Sequence, residues 1–199
     1  MAHSVSYLAP SATVTLLFDT SGQRKYLTPA QRREFLRAAA AAPGLASTFC
    51  LTLALTGCRI SEALALTCNR VDRSAGVLLF ESLKKRRRGI YRGVPVPPEF
   101  LDTLASMHDL SALGSARLWG FSRTTAWRRV KEVMEAAAIY GACASPKGVR
   151  HGFGIKAVIS EVPLNMIQKW LGHSRLATTA IYTDAIGSEE QRLAERMWK

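Results

Sequence analysis

The apolar residues of this chain fall mostly at helical spacing, with one short interval of strand-like alternation. Thr28-Pro29-Ala30-Gln31 reads as a helix start, with a threonine cap, proline at the first helical position and glutamine three residues after the cap. That helix passes Phe35 and Leu36, enters an alanine tract and stops near Pro43-Gly44. From Leu45 to Leu55 the chain is apolar nearly all round, which predicts a central helix closed by Gly57. A short helix follows at about Ser61 to Leu66, then a turn at Asp72-Arg73-Ser74-Ala75-Gly76. Val77 to Phe80 and Ile90 to Val96 read as two strands joined by a basic loop, and Pro97-Pro98 ends the hairpin. Further helices are predicted at about Glu99 to His108, Thr124 to Ala138, Lys147 to Ser160, Leu164 to Leu171 and Leu176 to Asp184. A last amphipathic helix from Glu189 to the end carries Leu193, Met197 and Trp198. Residues 1–25 are polar and weakly patterned, an arm with a β-like patch at Val14 to Phe18. The fold class is therefore mostly α with a small antiparallel β-sheet, an α+β domain. No internal repeat interrupts it.

Composition adds a partner to this picture. The 199 residues suit one domain, and 48% are apolar, enough for a core. A net charge of +12 favours nucleic acid. Against a membrane, the longest apolar run, Leu45 to Thr56, falls short of the roughly 18 residues a span needs. The start, Met1-Ala2-His3-Ser4-Val5-Ser6, lacks the charged and apolar regions of a secretion signal. Cys50, Cys58, Cys68 and Cys143 form no CxxC pair and no zinc spacing, so they read as reduced thiols packed in a cytoplasmic protein. No metal or cofactor is expected.

The candidate chemistry lies in four separated motifs. Arg59 follows the glycine that ends the buried helix, with Glu62 three residues on to orient it. Its guanidinium stays charged at any working pH and matches two phosphate oxygens. Lys84-Lys85-Arg86-Arg87-Arg88 crowd the hairpin tip, a self-repelling cluster that suits a polyanion. One of its lysines could donate a proton to a departing oxygen. Lys147 and Arg150 stand one helical turn apart, after a Ser145-Pro146 helix start. His173 follows Leu171-Gly172, and Tyr182 comes nine residues later. Two arginines, a histidine, a tyrosine and nearby lysines form a set that can hold and attack a phosphodiester without a metal.

As a set, these residues resemble the catalytic domain of the tyrosine recombinases, or phage integrase family. Thr56-Gly57-Cys58-Arg59-Ile60-Ser61-Glu62 is similar to the first arginine motif, and the hairpin ending Val94-Pro95-Val96-Pro97 to the lysine hairpin. Lys147-Gly148-Val149-Arg150-His151 is similar to the His-x-x-Arg box, Leu171-Gly172-His173 to the second histidine motif, and Ile181-Tyr182-Thr183 to the nucleophile motif. The resemblance runs from about Tyr26 to Ala185 and implies the fold that this family shares with type IB topoisomerases. Three departures stand out. Lys147 replaces the usual histidine, as in poxvirus-type topoisomerases. The basic loop is long, leaving Lys84 and Lys85 both eligible as the family's lysine, with Lys84 favoured. Only about 25 residues precede the domain, as in the short recombinases that invert fimbrial promoters.

The resemblance implies a site-specific recombinase whose Tyr182 forms a 3′-phosphotyrosine. Arg59 and Arg150 would neutralise the phosphate, Lys84 or Lys85 would protonate the leaving oxygen, and Lys147 and His173 would assist. Arg86, Arg87, Arg88, Arg92, Arg123 and Arg128 are the expected DNA contacts. The expected partners are double-stranded DNA and three further copies, a tetramer on two DNA sites, with accessory DNA-binding proteins a further class. The expected location is the bacterial cytoplasm, at the nucleoid. The organisation read from this is an arm (1–25), a catalytic domain (26–186) and a subunit-docking C-terminal helix (187–199). The alternatives are topoisomerase-like nicking and religation, or a catalytically idle DNA-binding accessory protein.

Overall fold

The computed structural model describes residues 14–81, 89–108, 110, 116–184 and 194–198. Helices dominate, with one three-stranded antiparallel sheet of order β1-β2-β3. No helix among the described residues is long and apolar enough to cross a membrane.

The chain enters through α1 (Val14–Leu17), a single helical turn where a β-like patch was expected. Burial overrides the β-propensity here. Leu17 is sealed against Tyr26, Ile155, Ile167, Ile181 and Tyr182, while Phe18 keeps only an isolated bridge to Arg24. α2 (Pro29–Ala41) begins with the expected capping box. Thr28 Oγ1 accepts from Gln31 N at 3.2 Å, and Gln31 Oε1 accepts from Thr28 N at 3.1 Å. α3 (Leu45–Thr56) is the central helix, with Phe49, Cys50, Leu53 and Ala54 all buried. Truncating a buried aromatic such as Phe49 would cost about 3–5 kcal/mol.

After α4 (Ile60–Leu64) come β1 (Val71–Asp72), β2 (Val77–Glu81) and β3 (Tyr91–Pro95). In β2, Leu78 and Phe80 point into the core. Across the ladder they pair with Val94 and Arg92. β1 pairs Val71 with Leu78 and Asp72 with Val77, a strand too short for alternation to reveal. The basic loop, with Lys84, Lys85, Arg86, Arg87 and Arg88, lies outside the described residues.

The remaining helices are α5 (Pro98–Met107), α6 (Arg123–Ala136), α7 (Pro146–Ile159), α8 (Leu164–Leu171) and α9 (Ala177–Ala180). The helix expected over Leu176 to Asp184 divides, since α9 gives way to a 3-10 turn at Ile181–Asp184. Thr178, Thr179 and Ile181 are β-branched and weaken a longer helix, and the tighter turn buries Ile181 and Tyr182 together. Near the C-terminus, a 3-10 turn spans Glu195–Met197, with Met197 and Trp198 exposed. Leu193, expected on the same stripe, lies outside the described residues. The larger core gathers α2, α3, α5, α6 and the sheet, and the smaller one gathers α1, α7, α8 and the Ile181–Tyr182 turn. α3 packs on α7, which contributes Val149 to the larger core and Ile155 and Ala157 to the smaller one.

Candidate active site

Two helix ends build the anion side of the site. α3 stops at Gly57 in the left-handed conformation (φ 61°), and α8 stops at Gly172 in the same way (φ 66°). A Cβ on Gly57 would lie 2.6 Å from the Phe153 ring and 2.8 Å from Leu171, so glycine is required for space as well as for backbone conformation. The carbonyls left at these C-termini carry negative partial charge. Arg150, from α7, is clamped between them. Its Nη1 donates to Gly57 O at 2.7 Å and its Nη2 to Leu171 O at 2.8 Å. A guanidinium has five N–H donors, so three remain for a ligand. Burial, and next the neighbouring Arg59, lower its pKa to about 10, still charged at neutral pH.

Arg59 is the N-cap of α4 and is held by Glu62, as expected. Glu62 Oε2 accepts from Arg59 N at 2.8 Å, and Oε1 accepts from Arg59 Nη1 at 2.9 Å. The same carboxylate takes Arg92 Nη2 at 2.6 Å, while Arg92 Nε donates to Trp170 O at 2.8 Å. Burial pushes the Glu62 pKa up, but the hydrogen bond and charge of Arg92, helped by Arg59, bring it below the ordinary carboxylate value. Arg92 is thus turned inward. The structure gives it an internal ion pair under Arg59 in place of the surface DNA contact expected for it, because its partner strand residue Phe80 points to the core.

Tyr182 lies in a slot in the opposite wall. Its ring edge runs over Gly154, where a Cβ would sit 2.5 Å from the ring. The ring stacks on His173, with centroids 6.2 Å apart at 20°. Its hydroxyl lies 3.2 Å from His151 Nδ1. His173 is in turn oriented by Thr179, whose Oγ1 is 2.9 Å from Nδ1. Burial, with Arg150 and Arg59 next, depresses the His173 pKa to about 3, so its imidazole is neutral. Burial raises the Tyr182 phenol pKa, while Arg150 and Arg59 pull the other way. Cys58, next to Arg59, is pushed by burial to about 12 and is an inert thiol.

These groups face one cleft of about 480 Å³, lined by Arg59, Arg123, Trp127, Lys147, Arg150, His151, His173 and Tyr182. Lys147 is exposed on the first turn of α7. Arg123 reaches the cleft from α6, but Arg128 sits outside it, paired with Glu132 at 3.8 Å. The basic loop leaves from Glu81 and returns at Tyr91. Ile90, Tyr91 and Arg92 share a second cavity with Gly172, His173 and Ser174, so the root of the loop abuts the site. His151, Thr179 and Trp127 were not singled out from the sequence. Trp127 had a signal, since it stands four residues after Arg123, one turn along the same face of α6.

Two fixed cations, two neutral imidazoles and a phenol around one cleft are suited to hold a phosphate and attack it. The family model of the phage integrase family matches residues 25–188.

The chain belongs to the phage integrase family.

Within the phage integrase family, curated relatives include the tyrosine recombinase XerD of Pseudomonas aeruginosa, 31% identical over 153 residues, covering 70% of this chain and 49% of that protein. XerD of Mycobacterium leprae is 30% identical over 141 residues, covering 64% and 44%. The chain spans about half the length of the curated relatives it matches. Among solved structures, the XerA recombinase superimposes with a TM-score of 0.74 at 25% identity, covering 86% of this chain and 64% of that one. The catalytic domain of bacteriophage HP1 integrase superimposes with a TM-score of 0.63 at 19% identity, covering 87% and 95%, a likeness of fold.

Proposed function

We propose that this chain is the catalytic part of a site-specific DNA recombinase that cuts and rejoins strands through a 3′-phosphotyrosine on Tyr182. The observation that carries this reading is the single cleft onto which Arg59, Lys147, Arg150, His173 and Tyr182 converge from widely separated stretches of the chain. Arg59 and Arg150 hold the non-bridging oxygens and stabilise the charge that builds on them, each worth roughly 3–4 kcal/mol in a water-poor site. Because carbonyls and a carboxylate fix both guanidiniums beforehand, little reorganisation is needed at the moment of reaction. His173, neutral and held by Thr179, donates a hydrogen bond to the phosphate. Lys147 assists from the rim. Lys84 or Lys85, on the loop rooted beside His173, protonates the departing 5′-oxygen. The phosphotyrosine stores the energy of the broken bond, so rejoining needs neither ATP nor a metal.

The net charge of +12 supports double-stranded DNA as the partner. XerH, whose fold this chain shares, has been captured on its difH substrate before cleavage. A tetramer on two sites is the proposed working unit. Lys147 in the box keeps topoisomerase-like relaxation as a second reading. The test is a supercoiled plasmid carrying two copies of the DNA that flanks the gene. Inversion or excision between the sites supports recombination, whereas relaxation that also occurs on site-free plasmid would replace it with the second reading.

A further inference from the structure

His151 follows Arg150 on α7, is 7% exposed, and has no place in the mechanism above. Its Nδ1 lies 3.2 Å from Tyr182 Oη, with the two rings edge-on at 5.8 Å between centroids. Its other nitrogen, Nε2, is buried and has no hydrogen-bond partner among the described residues. A neutral imidazole carries one N–H and one lone pair. With the proton on Nε2, a buried N–H would lack any acceptor, the rarer and costlier arrangement. With the proton on Nδ1, the orphan is a bare lone pair, and Nδ1–H donates to Tyr182 Oη. The phenol O–H is then free to turn toward a phosphate.

We infer that His151 is a positioning residue for the nucleophile, its Nδ1–H holding Tyr182 Oη and stabilising the phenolate that attacks in cleavage and departs in rejoining. This rests on the reading of Tyr182 as the nucleophile. In cleavage the Oη–P bond forms, the P–O5′ bond breaks, the phenol proton leaves to water, and the 5′-oxygen takes a proton from a hairpin lysine. Rejoining reverses each step, and His151 keeps its own proton throughout. A general-base role is disfavoured by the surroundings. Burial, then Lys147 and Arg150, hold the His151 pKa at about 4, while burial raises the phenol from its ordinary value. A neutral donor escapes that conflict, because a hydrogen bond to the charged form favours it.

The ionisable groups around Tyr182 are Lys147, Arg150 and His151 of α7, Arg59 at the start of α4, Arg123 of α6 and His173 after α8, with Lys25 near His151 and Tyr26 in the same buried cluster. Lys169, the one ionisable residue of α8, is exposed, and α1 and α9 carry none.

The experiment uses the full chain with a fluorinated tyrosine at its five tyrosines, followed by 19F NMR titration. The Tyr182 resonance is the one missing in Tyr182→Phe. His151→Leu should raise its titration midpoint by about one to two pH units, the range one hydrogen bond to a charged group supplies. Asparagine places its amide nitrogen where Nδ1 stands and glutamine where Nε2 stands. His151→Asn should therefore stay within about half a unit of wild type, and His151→Gln should move as His151→Leu does. The alkaline limb of single-turnover cleavage of a nicked suicide DNA should shift by the same amounts. An unchanged midpoint in His151→Leu overturns the inference. If that variant does not fold, equal midpoints for His151→Asn and His151→Gln overturn it. Failure of wild type to form any DNA adduct would remove the recombinase reading, while the titration would still decide the role of His151.

Discussion

Glu62→Ala should be the most damaging single change beneath the cleft. The carboxylate accepts four hydrogen bonds, from Arg59 N (2.8 Å), Arg59 Nη1 (2.9 Å), Arg92 Nη2 (2.6 Å) and Arg92 Nη1 (3.3 Å). The Arg92 side chain is only 8% exposed, so removing Glu62 leaves a buried cation unpaired. Breaking such a pair costs about 3–5 kcal/mol. The contact with Arg59, whose side chain is 28% exposed, adds at most about 1 kcal/mol. Against a total stability of about 5–15 kcal/mol this is a large share. With a urea slope of about 2 kcal/mol per molar, the combined loss should lower the unfolding midpoint by about 1.5–3 M. Combining Glu62→Ala with Arg92→Met removes the orphaned charge and should recover at least about 2 kcal/mol, although Trp170 O then loses its donor. Urea unfolding followed by circular dichroism measures all three variants. A Glu62→Ala midpoint within about 0.3 M of wild type, or a double variant as unstable as the sum of the singles, would refute the reasoning.

Gly154→Ala reverses a helix rule. Alanine ordinarily gains about 0.5–1 kcal/mol in a helix interior, but here its Cβ meets the Tyr182 ring, so both melting temperature and adduct yield should fall while DNA binding persists in a gel-shift assay. Lys147→His should retain substantial cleavage and Lys147→Ala should lose it, read by single-turnover cleavage of nicked DNA. Acid should destabilise the fold through two histidines held neutral, buried His151 and half-buried His173. His151 and His173 have folded pKa values of about 4 and about 3, so below about 6.5 the unfolded chain binds more protons and stability falls with pH. By pH 5 His151 alone contributes a loss on the order of 2 kcal/mol, and thermal melts at pH 7 and 5 should show His151→Asn losing less than wild type.

What was legible in the chain was local. α8 falls at Leu164–Leu171 as predicted, because a strong apolar stripe ends at a glycine that can turn left-handed. The capping box of α2 and the stop at Gly57 were readable for the same reason: both are set by residues within one turn. Arg59, Lys147, Arg150, His173 and Tyr182 were found as motifs, and the fold brings them to one cleft. What escaped depends on contacts distant in sequence. β1 exists only through its pairing with β2. Arg92 looked like one more cation of a basic hairpin, and only Glu62, 30 residues away, and the Trp170 carbonyl, 78 away, turn it inward. His151 meets Tyr182 across 31 residues, so nothing adjacent in sequence announces the pair. α1 read as a strand patch because its burial partners, Ile155, Ile167 and Tyr182, lie in the last quarter of the chain.

The central claim is that Tyr182 becomes covalently joined to DNA. The most direct test incubates the protein with a nicked suicide substrate built from the DNA flanking its gene, traps the adduct in denaturant, and maps the modified residue by mass spectrometry after nuclease digestion. The account predicts a phosphonucleotide on Tyr182, attached to a 3′ DNA end and absent from Tyr182→Phe. An adduct on Tyr140 or any other residue, a 5′ linkage, or an adduct that survives in Tyr182→Phe would contradict it.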